Sequence, residues 1–205
     1  TAAAQTEGSR QWPHKYQFLE RVRAARHERA GVLFDSLLWA VGEGPCAGLR
    51  SARRAAGAKE MDMAAARIGI ESALRTLHSS GDLLAQLVAI CLFDPPPAPS
   101  DVAMNWKKFK EPARADAPAI AELFDALQED ESWRYVTDAT NTLKHVEALQ
   151  IVFSLGGGIT LVGFKKGKNE YPDRSLDEIS AIVWTVQERL WELAWALYEM
   201  LDDPA

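Results

Sequence analysis

Apolar side chains recur at helical spacing through most of this chain, and one stretch departs from that rhythm. Pro13 suits the first turn of a helix. After it Phe18, Leu19, Val22, Leu33, Phe34, Leu37, Leu38 and Val41 predict a helix over 14–41. Its middle, RVRAARHERAG, is cationic and reads as a solvated face, and GEGP at 42–45 reads as its stop. An Ala/Arg-rich helix is expected at 46–56. Ile70, Leu74, Leu77, Leu84, Val88 and Cys91 then form the apolar stripe of a long helix over 59–93, with Gly81 read as room for a neighbouring backbone. The run Asp94-Pro-Pro-Pro-Ala-Pro breaks that helix and opens a long connection over 94–118. Two shorter helices follow, Pro118 to Gln128 and Ser132 to Leu149, separated by the acidic turn Glu129-Asp130-Glu131.

The period then changes. Ile151 and Phe153, then Gly156-Gly157-Gly158, then Ile159, Leu161 and Phe164 alternate as the two strands of a hairpin over 150–165. KKGKNEYP makes a further turn. Ser175 and Glu178 stand at capping-box spacing and open a last helix to Leu201 that is apolar on most faces. The architecture expected is mainly α: a four- to five-helix bundle with a β-hairpin inserted before the C-terminal helix, in one domain over 13–205 behind a flexible tail over 1–12. Trp184, Trp191 and Trp195 share a stripe of the last helix, which is expected to face either a second copy, making a homodimer, or the N-terminal helix of the same chain.

Composition narrows the classes. Apolar residues make up 47% of 205, enough for an ordinary core, and no apolar run has the length of a membrane span. The net charge of −6 argues against broad, non-specific binding to nucleic acid or membrane. The charge is uneven, however. Residues 1–60 carry +4 and the remainder −10, so a local basic face along Arg21, Arg23, Arg26 and Arg29 is consistent with the sequence. Lysines at 107, 108, 110, 165, 166 and 168 read as solvated groups or as phosphate contacts, with Trp106 and Phe109 as a stacking platform among the first three. Cys46 and Cys91 read as reduced thiols in a cytoplasmic protein. No phosphate loop, dinucleotide fingerprint, nucleophile elbow or DNA-binding motif is present, and no cofactor is expected.

Two polar stripes carry the candidate chemistry. On the long helix Glu71, Arg75, His78, Asp82 and Gln86 share a flank; on the Ser132–Leu149 helix Asp138, Asn141 and His145 do. Polar groups inside an apolar bundle need partners or a task. His78, Asp82, Asn141 and His145 are expected to meet across the two helices, as a buried clasp that fixes register or as a functional pocket. His78 and Asp82 have the spacing of metal ligands, but no recognised pattern completes them, and no metal is expected.

The segment LHSSGDLLAQL, a following loop, the segment NTLKH, a hairpin and a last helix together resemble the HEPN superfamily over residues 60–200. The closer likeness is to a bacterial branch with a His-Ser-x-x-Asp segment (His78 to Asp82) and an Asn-x-x-Lys-His segment (Asn141 to His145). In its ribonucleases an Arg, a polar residue, three more residues and a His form the active motif, usually paired across a dimer. The resemblance implies metal-independent RNA cleavage, with His145 in acid–base work beside Asn141. Thr140 stands where that motif has its Arg and supplies no cation. The expectation is therefore a non-catalytic module that binds RNA, a small ligand or a protein partner, in a stress or defence context, with His78, Asp82, Arg75, Asp138 and Lys144 as binding residues. The alternative is a ribonuclease that takes its cation from Arg134, Arg75 or a second subunit.

Overall fold

A computed structural model describes residues 15–22, 26–58, 62–96, 115, 117–145, 148–153 and 158–202. The protein is mainly helical, with short antiparallel strands before the last helix. The helices are α1 (Lys15–Arg21), α2 (His27–Leu38), α3 (Gly44–Gly57), α4 (Met63–Leu92), α5 (Pro118–Glu129), α6 (Glu131–His145) and α7 (Leu176–Asp202). The connection lysines at 107, 108 and 110, with Trp106, Phe109 and Arg23, lie outside the described residues.

The expected helix over 14–41 is two helices folded against each other. Phe18 of α1 stacks on Phe34 of α2 with ring centroids 4.5 Å apart, a contact one straight helix cannot make across sixteen residues. The cationic middle is not a uniformly solvated face. Arg26 is buried and donates to the Ile90 carbonyl at the end of α4, while Arg21 lies 3.6 Å from the Tyr198 ring of α7. Two of the four arginines expected to form a basic face thus turn toward the bundle, and Arg29 is exposed.

GEGP does not stop a helix either. A π-helical turn, Trp39–Glu43, carries α2 directly into α3, and Pro45, in the first turn of α3, has no N–H to give the Val41 carbonyl four residues back. Gln187 of α7 is buried here and donates to the carbonyls of Val41 and Gly42. Gly44 has to be small, because a Cβ there would lie 2.6 Å from the Thr76 methyl.

α3 and α4 touch backbone to backbone. A Cβ on Gly48 would stand 2.5 Å from the Gly69 carbonyl oxygen, and one on Gly69 would stand 2.6 Å from that of Gly48. Asp62 caps α4 through the Ala65 amide. Asp130 ends α5 and caps α6, accepting from the amides of Ser132 and Trp133 at 2.8 and 3.1 Å. α6 is shorter than expected. Residues 148–150 are not helical, and the Gln150 carbonyl already accepts from Val162 in the approach to the sheet.

The expected hairpin is present as β1 (Ile151–Phe153) paired antiparallel with β2 (Ile159–Leu161). Gly158 is exposed beside β2, and residues 154–157 lie outside the described set. The stretch read as a plain turn is a second hairpin, β3 (Phe164–Lys166) with β4 (Asn169–Tyr171), which turns at Gly167 with φ of 59°. A short β5 (Arg174–Ser175) returns to β2. The capping box forms as read: the Ser175 amide donates to Glu178 at 2.8 Å and the Glu178 amide to Ser175 Oγ at 3.2 Å.

The last helix divides its tryptophans. Trp191 is half-buried near Gly42, Trp195 is half-buried against Tyr198, and Trp184 is 62% exposed with its indole N–H on Glu188. Part of the stripe is therefore covered within the chain. Among the described residues no helix is long and apolar enough to cross a membrane.

Candidate functional site

The two polar stripes meet only in part. α4 and α6 pack at Gly81, where the Trp133 indole fills the space a side chain would take: a Cβ on Gly81 would be 2.5 Å from that ring. What approaches the glycine is a side chain rather than a backbone. The same indole lies parallel to the His78 imidazole, with centroids 5.9 Å apart. His78 is thus held in an aromatic and largely desolvated place. Burial, with the nearby Lys144 ammonium adding to it, lowers its pKa from 6.5 to about 4, so the imidazole is neutral at pH 7. Its Nδ1 is buried and has no hydrogen-bond partner among the described residues. Asp82, one turn on, has its pKa raised by burial, with Lys144 opposing the shift. His78, Asp82 and Lys144 therefore share one environment.

Asn141 is half-buried, and no hydrogen bond joins it to His78 or Asp82 among the described residues. The expected hydrogen-bonded clasp does not form among these three; the side chain of His145 lies outside the described set. Arg75 is exposed, and its guanidinium reaches the Leu143 carbonyl at 3.5 Å, the long end of a hydrogen bond. That places a cation at the end of α6, two residues before His145. Arg75 also borders an apolar groove of 580 Å³ between α4 and the Trp39 turn. Lower on α4, Glu71 faces Arg67 at 3.7 Å, and the buried Oε1 of Glu71 has no hydrogen bond among the described residues. Gln86 is half-buried.

Thr140 is fully buried and donates to the Leu74 carbonyl of α4. Asp138 leaves the stripe altogether. Its Oδ2 accepts from Tyr171 Oη at 2.6 Å and from Asn169 Nδ2 at 2.9 Å, so it ties α6 to the second hairpin instead of to α4. Tyr171 in turn packs on Phe164 and against the edge of Tyr135. Burial and the Asp138 carboxylate hold the Tyr171 phenol protonated, with its pKa raised to about 12. Sequence reasoning missed this second cluster. The signal was available: Arg134 and Asp138 share a helix face, and Asn169 and Tyr171 share a strand face. Trp133 as the partner of His78 carried no signal in the periodicity.

Among the described residues, no group of three or more His, Cys, Asp or Glu is placed to hold a metal ion. The buried imidazole makes one measurable statement about stability. The folded state keeps His78 neutral down to about pH 4, while the unfolded state takes up a proton near 6.5. Stability is therefore complete above 6.5 and is lost as pH falls across that window. The loss should reach about 2–3 kcal/mol at pH 4, from 1.36 kcal/mol per unit with some discount for exposure. Asp82 works in the opposite sense from its ordinary 3.8 upward. Urea denaturation at intervals from pH 7.5 to 4 should show a markedly shallower acid decline for His78→Phe than for wild type, and equal declines would contradict the neutral, buried imidazole.

Compared with family models, curated proteins and solved structures, the chain has no match in any of the three.

Proposed function

We propose that the protein is a non-catalytic HEPN-like module that binds through the α4–α6 face, with Arg75 and Lys144 as its cations and RNA as the partner that suits them. The observation that carries this reading is the place of Thr140. Where the ribonuclease motif needs a cation beside its His, this chain has a hydroxyl sealed in the core and committed to the Leu74 carbonyl. A phosphate cannot reach it, and an Arg there would be desolvated without a counter-ion. His78 adds no cation to this face, which leaves the phosphate charge to Arg75 and Lys144. A neutral imidazole with a pKa near 4 carries no charge at pH 7 to balance a phosphate.

One observation favours the ribonuclease as a second reading. Arg75 lies at the Leu143 carbonyl and so brings a cation to the His145 end of α6 from another helix. A homodimer would add a further source, and Trp184 leaves an aromatic surface for such a contact. Incubation with RNA in the presence of EDTA separates the readings. The wild type and His145→Ala are both expected to leave the RNA intact, while a shift assay shows binding that weakens in the double variant Arg75→Ala/Lys144→Ala. Cleavage by the wild type that His145→Ala abolishes would overturn the binding reading in favour of the nuclease. Light scattering at micromolar protein in the same buffer tests the dimer, and a monomeric mass removes a second subunit as the source of the cation.

A further inference from the structure

A second site lies on the opposite flank of α6. Between the first turns of that helix, the β3–β4 hairpin and α7 is a cleft of 330 Å³, the size that takes a small organic molecule. Its wall is aromatic and fixed. Tyr135 and Tyr171 meet edge to face with centroids 5.3 Å apart, and Ile182 of α7 adds an apolar surface. The polar groups that shape the wall are already engaged, since Asn169 and Tyr171 both donate to the one Oδ2 of Asp138.

The cationic donors on the lining are guanidinium groups. Arg134 lines the cleft and is exposed, and its guanidinium forms no ion pair or hydrogen bond among the described residues. Arg174 lines it from β5. One of its Nη atoms bonds Glu178 at 3.2 Å, and its Nε is buried without an acceptor among the described residues, so they satisfy the head group only in part. Two guanidinium groups from different elements, beside an aromatic wall, are suited to an oxyanion attached to a flat apolar body. Glu131 and Glu170 on the lining limit the charge the cleft tolerates, and Glu170 is itself paired with Lys165 at 3.0 Å. A polyanionic strand would meet those carboxylates; a molecule with one anionic group need not.

We infer that this cleft binds a small organic oxyanion, a carboxylate or a phosphate carried on an aromatic or apolar body, with Arg134 and Arg174 holding the anionic group and Tyr135 and Tyr171 the body. The site is separate from the α4–α6 face, so it stands whether that face binds RNA, cleaves it or does neither.

Benzoate and phenyl phosphate are the probes, followed by amide chemical shifts of the full chain. Both are expected to move the amides of 131–135 and 169–174 saturably. Benzyl alcohol, which has the ring without the charge, is expected to leave them in place. Arg134→Ala should keep the fold, because that side chain is exposed and unpaired, and should weaken benzoate binding roughly tenfold or more. An equal response to benzyl alcohol, an unchanged affinity in Arg134→Ala, or shifts confined to other parts of the chain would overturn the assignment. A single-stranded oligoribonucleotide that moves the same amides at lower concentration than benzoate would also overturn it.

Discussion

Gly48→Ala is expected to destabilise the protein by roughly 2–4 kcal/mol, while Gly57→Ala in the same helix gains about 0.5 kcal/mol. In an open helix both changes would stabilise, because alanine loses less backbone entropy than glycine on folding. The difference is the neighbour. The new methyl at 48 would lie 2.5 Å from the Gly69 carbonyl oxygen and 3.0 Å from the Ala73 amide nitrogen, both backbone atoms that cannot rotate away. α3 and α4 must separate, and the separation loosens the packing around Leu49, Ala52, Ile70 and Ala73. Among the described residues nothing lies within 4 Å of a methyl at 57. Urea denaturation of the two variants side by side gives the comparison, and shifts of the same sign would show that the α3–α4 seam yields more easily than its geometry implies.

Arg26→Met is expected to cost about 3 kcal/mol. Methionine keeps the apolar stem, so the loss isolates the head group. That head group is only 9% exposed and donates to the Ile90 carbonyl at 3.0 Å, one of the last carbonyls of α4, which a helix cannot satisfy for itself. The ion pair with Asp94 at 2.9 Å contributes less, because Asp94 is 68% exposed and water already screens it. Asp94→Asn should therefore cost under about 1 kcal/mol. If Asp94→Asn proved as damaging as Arg26→Met, the ion pair and not the carbonyl contact would be the source of the stability.

These two sites also show what the sequence withholds. Local signals located the long helices α4 and α7, the break at Asp130, the change to strands after 150 and the capping box at Ser175, because each of those is settled within a few neighbouring residues. Gly48 and Gly69 carry meaning only together, as do Arg26 and Ile90, and such pairs leave no period. The same holds for GEGP. Its glycines read as punctuation, but Gly44 is required by Thr76 of another helix, and the turn stays helical because Gln187 supplies donors from 145 residues away. In the candidate site the residue types were legible and their grouping only partly so. Lys144 acts on both His78 and Asp82. Asp138, placed with Asn141 and His145 by helix spacing, is drawn to the other side by Tyr171 and Asn169, thirty-three and thirty-one residues on.

The carbonyls at the α2–α3 joint have a consequence for the order of events during synthesis. Val41 and Gly42 emerge from the ribosome long before Gln187, and Arg21 long before Tyr198, whose carbonyl it binds at 3.1 Å. An N-terminal portion that has been released can form its helices, but its joint stays unsealed until the last helix has been made and docks. Nascent chains arrested between the hairpins and α7 should thus remain open to proteases near residue 42 and attractive to chaperones, and release of α7 closes the joint and the N-terminal helix pair together.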